Sequence, residues 1–235
     1  MKKPKKITVK FFLNRNLKHL DIDGVEHFPL YAQITYDRKN TQIKCQYGWF
    51  YKDLHQVQAQ SPQLLPLEEG IFRRVVEYEL KQQGEEFKLK GLGRKYEYYS
   101  LSIHQLINSY LKLRLKNFIH RAQPQKFLEV LNLEKPNLDF FTIYDASEKL
   151  FDNLAGILDK TFLEEMELYR VYTQFYEKEL APNAFHFPVV IDWLDGSHRH
   201  QLSQKLHHHF AQQPDESEKC LKFIHGIIST KIGLV

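Results

Sequence analysis

Five histidines fall within twelve residues near the C-terminus, as His198-Arg199-His200 and His207-His208-His209. Imidazole is a common zinc ligand, but a zinc site needs three or four ligands converging at about 2 Å. On a helix His200 and His207 lie two turns apart on one face. No cysteine or carboxylate accompanies them at metal-ligand spacing, and no His-Glu-x-x-His pattern occurs. The cluster is read as a structural or exposed histidine run, with no metal and no cofactor. A Gly-x-Ser-x-Gly elbow and a P-loop are absent, and Gly91-x-Gly93 lacks the third glycine, the preceding strand and the distal acid of a nucleotide fingerprint. Paired carboxylates such as Glu164-Glu165 and Glu177/Glu179 read as solvated helix faces. The chain is therefore expected to be non-catalytic.

A second chemistry is spread along two alternating segments, Leu30–Tyr36 and Asn40–Tyr47. Strand side chains alternate faces with period two. One face collects Leu30, Ala32, Ile34, Thr41, Ile43, Cys45 and Tyr47, and the other Tyr31, Gln33, Thr35, Gln42, Lys44 and Gln46. Amides, hydroxyls and a cation without an acid are the groups that hydrogen-bond base edges and phosphates. The charge distribution agrees. Residues 1–120 carry 21 Lys and Arg against 12 Asp and Glu, a net of +9, and the remainder has a net of −5. Such segregation suggests a polyanion partner for the first half and a protein partner, or none, for the second.

The elements that position these residues are legible in outline. Ile7–Leu13 reads as a first strand with Ile7, Val9, Phe11 and Leu13 inward, and Asn14 to His27 as a polar connection with turn formers Asp21, Asp23 and Gly24. Asp37-Arg38-Lys39-Asn40 joins the next two strands as a longer hairpin loop. Leu67–Gln82 has helical spacing, with Ile71, Phe72, Val75, Val76 and Tyr78 apolar and Gly84 as its stop. Trp49 is expected to anchor the loop leaving the sheet, and Tyr96, Tyr98 and Tyr99 to pack in a core. Further helices are expected over Ser100–Ile119, with a stripe including Ile103, Leu106, Ile107, Tyr110 and Leu113, and over Ser147–Leu158, Thr161–Leu180, Arg199–Gln212 and Asp215–Ile232. Asn183–Ser197 is expected as a strand or buried loop. The fold class is α+β: a small N-terminal three-stranded antiparallel sheet packed on a helix, followed by a mostly α-helical domain. The expected divisions are a DNA-binding domain over 1–83, a connection over 84–99 and a helical domain over 100–235. Cys45 and Cys220, far apart and without metal spacing, read as buried thiols of a reduced cytoplasmic protein. The basic start leads into a strand without an apolar run, so neither a signal peptide nor a membrane span is expected.

Residues 7–82, centred on Leu30-Tyr31-Ala32-Gln33-Ile34-Thr35-Tyr36-Asp37-Arg38-Lys39, resemble the arm-type DNA-binding domain of phage-type integrases (tyrosine recombinases), especially those of Bacteroidetes mobile elements. There a Leu-Tyr-x-x-Ile-Thr strand is followed by a basic turn and another strand. Lys219-Cys220-Leu221-Lys222-Phe223-Ile224-His225-Gly226-Ile227-Ile228 is similar to the close of the core-binding helical domain of the same proteins. The resemblance implies a sheet in the major groove at an accessory site and a helical domain gripping DNA near the exchange point. The family's catalytic His-x-x-Arg has no counterpart, since no histidine is followed three residues later by arginine. The chain is thus expected to be the DNA-binding part of a longer protein or an accessory protein without the chemistry.

The function expected is sequence-directed binding of double-stranded DNA. Lys10, Arg15, Arg38, Lys39 and Lys44 would neutralise phosphates, and Tyr31, Gln33, Thr35 and Gln42 would face bases. The alternative is a protein-interaction scaffold that docks a partner through residues 121–235.

Overall fold

The computed structural model describes residues 6–133, 138–175, 188–210 and 214–232. It is an α+β fold of two compact units, Met1–Ser100 and Leu101–Leu234. No helix among the described residues is long and apolar enough to cross a membrane.

The first unit is organised by one long strand. It contains β1 (Thr8–Leu13), β2 (Leu20–Ile22), β3 (Val25–Tyr36), β4 (Lys39–Lys44) and β5 (Phe50–Tyr51), all antiparallel, and β3 pairs with each of the other four. The three expected strands are β1, β3 and β4, and β2 and β5 add to them. The connection expected over Asn14–His27 contains the β2–β3 hairpin. Its two-residue turn has positive φ at Asp23 (55°) and Gly24 (75°), and the Gly24 amide donates to Asp21 Oδ1 at 2.9 Å. The hairpin between β3 and β4 is also shorter than expected. Tyr36 pairs with Lys39, so only Asp37 (φ 50°) and Arg38 (φ 62°) form the turn. Positive φ at both central residues is the sense of a type I′ turn, whose twist matches the strands it joins.

Leu30, Ala32 and Ile34 of β3 are fully buried, and helices cover that side of the sheet. α1 (Leu54–Gln60) opens on Asp53, whose carboxylate accepts from the Gln56 amide at 2.7 Å. α2 (Leu64–Gln83) follows and ends at Gly84, where φ is 57°. It lies against β1, with Ile71, Phe72, Val75 and Val76 wholly buried. Arg73 ties it there by donating to the Ile7 carbonyl at 2.9 Å. Residues 84–99, expected as a connection, belong to this unit. They hold a single 3-10 turn and α3 (Leu92–Tyr99), which packs on α2 and β4. Tyr96 stacks on Phe72 with ring centres 4.0 Å apart.

The helical unit contains α4 (Ile103–Ala122), α5 (Pro124–Leu133), α6 (Phe140–Glu148), α7 (Lys160–Phe175), α8 (Val190–Leu194), α9 (Ser197–His209) and α10 (Pro214–Ile232). α4 packs against α5, α6, α7 and α10. Its buried stripe runs through Ile103, Ile107, Leu111, Leu115 and Ile119, while Leu113, expected inside, is 57% exposed. Ser147–Leu158 is not a helix. Phe151, Leu154 and Leu158 are buried at helix-like spacing, but Asn153 Oδ1 captures the Gly156 amide at 3.0 Å and turns the chain. The helix lies earlier, as α6, opened by Asp139 accepting from the Thr142 amide at 3.0 Å. The described part of Asn183–Ser197 is one bridge, Val189 with Ser102, and the buried short helix α8. Glu177 and Glu179, the expected helix ends at Leu180 and Gln212, and residues 183–187 lie outside the described residues.

Two buried ionisable groups give these units opposite responses to pH. His198 is buried beside Tyr172, whose hydroxyl lies 3.3 Å from its Nε2, and burial pushes its pKa down from 6.5 to about 4. The unfolded chain therefore binds a proton before the folded one does as pH falls. The stability held by neutral His198, up to about 3 kcal/mol, is lost between pH 6.5 and 4. A His198→Phe variant followed by chemical denaturation should lack that loss. Glu68 is wholly buried on α2, and desolvation raises its pKa above the ordinary 4.5 despite the hydrogen bonds it accepts. Here the folded state holds the proton longer, so stability falls as pH rises from 4.5 through the raised pKa. Glu68→Gln should remove that decline in denaturation curves recorded across pH.

Candidate nucleic-acid interface

Antiparallel pairing fixes which side chains share a face. β3 lies between β1 and β4, and the register stacks three rows on the side away from the buried Leu30, Ala32 and Ile34. They are Thr8–Thr35–Asn40, Lys10–Gln33–Gln42 and Phe12–Tyr31–Lys44. Lys10, Asn40, Gln42 and Lys44 are exposed, and Thr8, Phe12, Tyr31, Gln33 and Thr35 half-buried. No acidic residue stands in these rows. Cross-strand neighbours on one face are about 5 Å apart, so two lysines, three amides, two threonines and two rings form one continuous surface.

Of the residues expected to contact DNA, six are brought together here: Lys10, Tyr31, Gln33, Thr35, Gln42 and Lys44. Arg38 stands at the exposed tip of the turn. The other two are elsewhere. Lys39 pairs with Tyr36, one residue out of step with the outward rows, and lines a cavity of about 630 Å³ with Tyr36, Leu80, Glu85, Phe87 and Lys88. Arg15 lies past the end of β1, its guanidinium 5.7 Å from the centre of the Phe28 ring. Thr8, Phe12 and Asn40 share the face although they were not among the expected contacts. Phe12 alternates with the inward-reading Phe11, and its pairing with Tyr31 sets it in the outward row.

Trp49 does not anchor the loop after β4. Its carbonyl accepts from the Leu30 amide at 3.3 Å, but the residue is 70% exposed. Tyr47 takes the anchoring part, with its hydroxyl donating to the Ser100 carbonyl at 2.7 Å and its amide to Glu68 Oε1 at 2.7 Å. The cationic residues of α4 are partly engaged inside the helical unit. Lys112 donates to the Leu138 carbonyl. Arg114 pairs with Glu165 and Asp159 and lies over the Phe162 ring at 5.2 Å. The histidines do not act as one group: His198 is buried, while His200, His207 and His208 are exposed. Among the described residues no three His, Cys, Asp or Glu side chains gather as a metal-binding group. Cys45 and Cys220 are buried free thiols, and desolvation raises both pKa values, that of Cys220 to about 12.

The boundary at Ser100 changes the charge ledger. Residues 1–100 carry 18 Lys and Arg against 12 Asp and Glu, a net of +6, and residues 101–235 carry 15 against 17, a net of −2. The first unit stays basic, and the helical unit is close to neutral.

No protein-family model matches the chain, and neither a curated protein nor a solved structure is significantly similar to it.

The turn offers a test that separates stability from recognition. Arg38 has positive φ, which costs a non-glycine residue about 1 kcal/mol. Arg38→Gly should relieve that strain and raise the melting temperature by a few degrees in a thermal melt, while removing the cation at the tip.

Proposed function

We propose that the outward face of β1, β3 and β4 binds double-stranded DNA in a sequence-directed manner, and that the protein is a non-catalytic relative of mobile-element integrases working in the cytoplasm. The observation that carries this is the register: Lys10–Gln33–Gln42 and Phe12–Tyr31–Lys44 are adjacent rows on one side, with no acid in either. A ribbon of strands fits the major groove, where glutamine reads adenine and threonine accepts or donates at either kind of pair. Lys10, Lys44 and Arg38 meet phosphates along the groove's walls, and their charge gives affinity without sequence preference.

A protein-docking scaffold is the second reading. Its support is a groove of about 940 Å³ between α7 and α10, floored by Leu163, Leu168, Val171 and Phe223 and rimmed by Glu164, Glu167, Lys219 and Lys222. The near-neutral charge of the helical unit removes the acidic character that favoured this role. A protein that ignores duplex DNA at low salt yet forms a stable complex through residues 121–235 would decide for the scaffold.

Each phosphate contact steepens the fall of log affinity with log salt by about 0.9. The double change Lys10→Ala, Lys44→Ala should weaken binding to every duplex and flatten that slope by roughly 2, as read by gel-shift titrations at several salt concentrations. An unchanged affinity and slope would place the phosphates elsewhere.

A further inference from the structure

The row Phe12–Tyr31–Lys44 differs from its neighbours in carrying rings. Phe12 and Tyr31 stand side by side across β1 and β3, their centres 6.0 Å apart and their planes at 43°. Lys44 completes the row, and its Nζ lies 6.0 Å from the centre of the Phe50 ring. Phe50 pairs with Pro29, two residues from Tyr31 along β3 and so in step with the outward rows. All three rings are half-buried, unlike Phe72 and Phe140, which the cores enclose completely. Beside them lie the amides of Gln33 and Gln42 and the ammonium of Lys10.

Rings of this kind bind nucleobases by stacking, with nearby cations holding the backbone and amides meeting the base edges. In an intact duplex both faces of every base are already covered by neighbouring bases, so Phe12 and Tyr31 meet only edges and methyl groups. An unpaired base offers its whole π-face. Extruding a paired base has its own cost, which is smallest where pairing is already absent.

We propose that the Phe12–Tyr31 pair is a docking site for an unpaired base, so that this face binds DNA containing unpaired nucleotides more tightly than fully paired DNA. This rests on the sheet face being the DNA-binding surface. Lys10 and Lys44 hold the backbone on either side of the base, and Gln33 lies within one row of its edge.

The test compares a labelled duplex with the same duplex carrying a central mismatched bubble, by fluorescence anisotropy at fixed salt. The 235-residue chain should favour the bubble roughly tenfold. Phe12→Leu and Tyr31→Leu keep apolar bulk on the sheet but remove the π-face, and each should bring the ratio close to one. Tyr31→Phe keeps the ring and should keep the preference, which a merely structural contribution to the sheet does not predict. None of these changes alters charge, so the salt slope should stay as it was. Equal binding of the two probes overturns the proposal, and so does a bubble preference that survives both leucine variants. If neither probe binds at low salt, the sheet face is not a DNA-binding surface, a different failure from the loss of the preference alone.

Discussion

A carboxylate without solvent exposure holds the first unit together where its sheet becomes irregular. After β4 the chain leaves its partner strand, and the next amides need new acceptors. Tyr47 donates to Glu68, Gln46 donates to the Tyr96 hydroxyl at 3.1 Å, and that hydroxyl donates in turn to Glu68. One side chain of α2 thereby fixes the strand exit and α3 together. Burying a carboxylate is costly, and these donors offset the cost only if all are present. Glu79 repeats the device eleven residues later, three helical turns along the same face of α2. It accepts from Tyr99 at 2.8 Å and from Lys95 and Gln83. The angle between α2 and α3 is thus set by directional contacts as well as by packing, and the outward rows keep their register because β4 is held at its far end.

The sequence showed the parts of this unit that repeat. Alternation along β3 and β4 was strong enough to sort Tyr31, Gln33 and Thr35 from Leu30, Ala32 and Ile34. It could not show β2 and β5, because three and two residues are too few for a period to appear. The hairpin turn was hidden for another reason. Asp37-Arg38 lacks the asparagine and glycine that usually mark positive φ, so a two-residue turn looked like four. Lys39, expected in that loop, is a strand residue beside Tyr36. Arg15 has no periodicity around it at all, and charge alone could not locate it.

The helical unit taught a similar lesson. α7, α9 and α10 lie within a few residues of the starts expected for them at Thr161, Arg199 and Asp215. Around Leu154 the burial pattern imitated a helix, while the backbone was decided by one hydrogen bond, from the Gly156 amide to Asn153 Oδ1. Local side-chain competition for the backbone is silent in any count of apolar residues. His198 belongs to the same class. Its neighbours in sequence are exposed histidines, yet its contacts are Tyr172 and Trp193 in the interior.

β3 touches every other strand, and its two sides answer to different demands. Even-numbered positions from Leu30 to Ile34 are held by the interior, and a change there is felt as lost folding energy. Odd-numbered positions from Tyr31 to Thr35 are half-buried and carry less of that burden. Substitutions on one side can therefore change the surface chemistry while the other side keeps the architecture intact. The outward side of this strand can vary more widely than the inward side without loss of the fold.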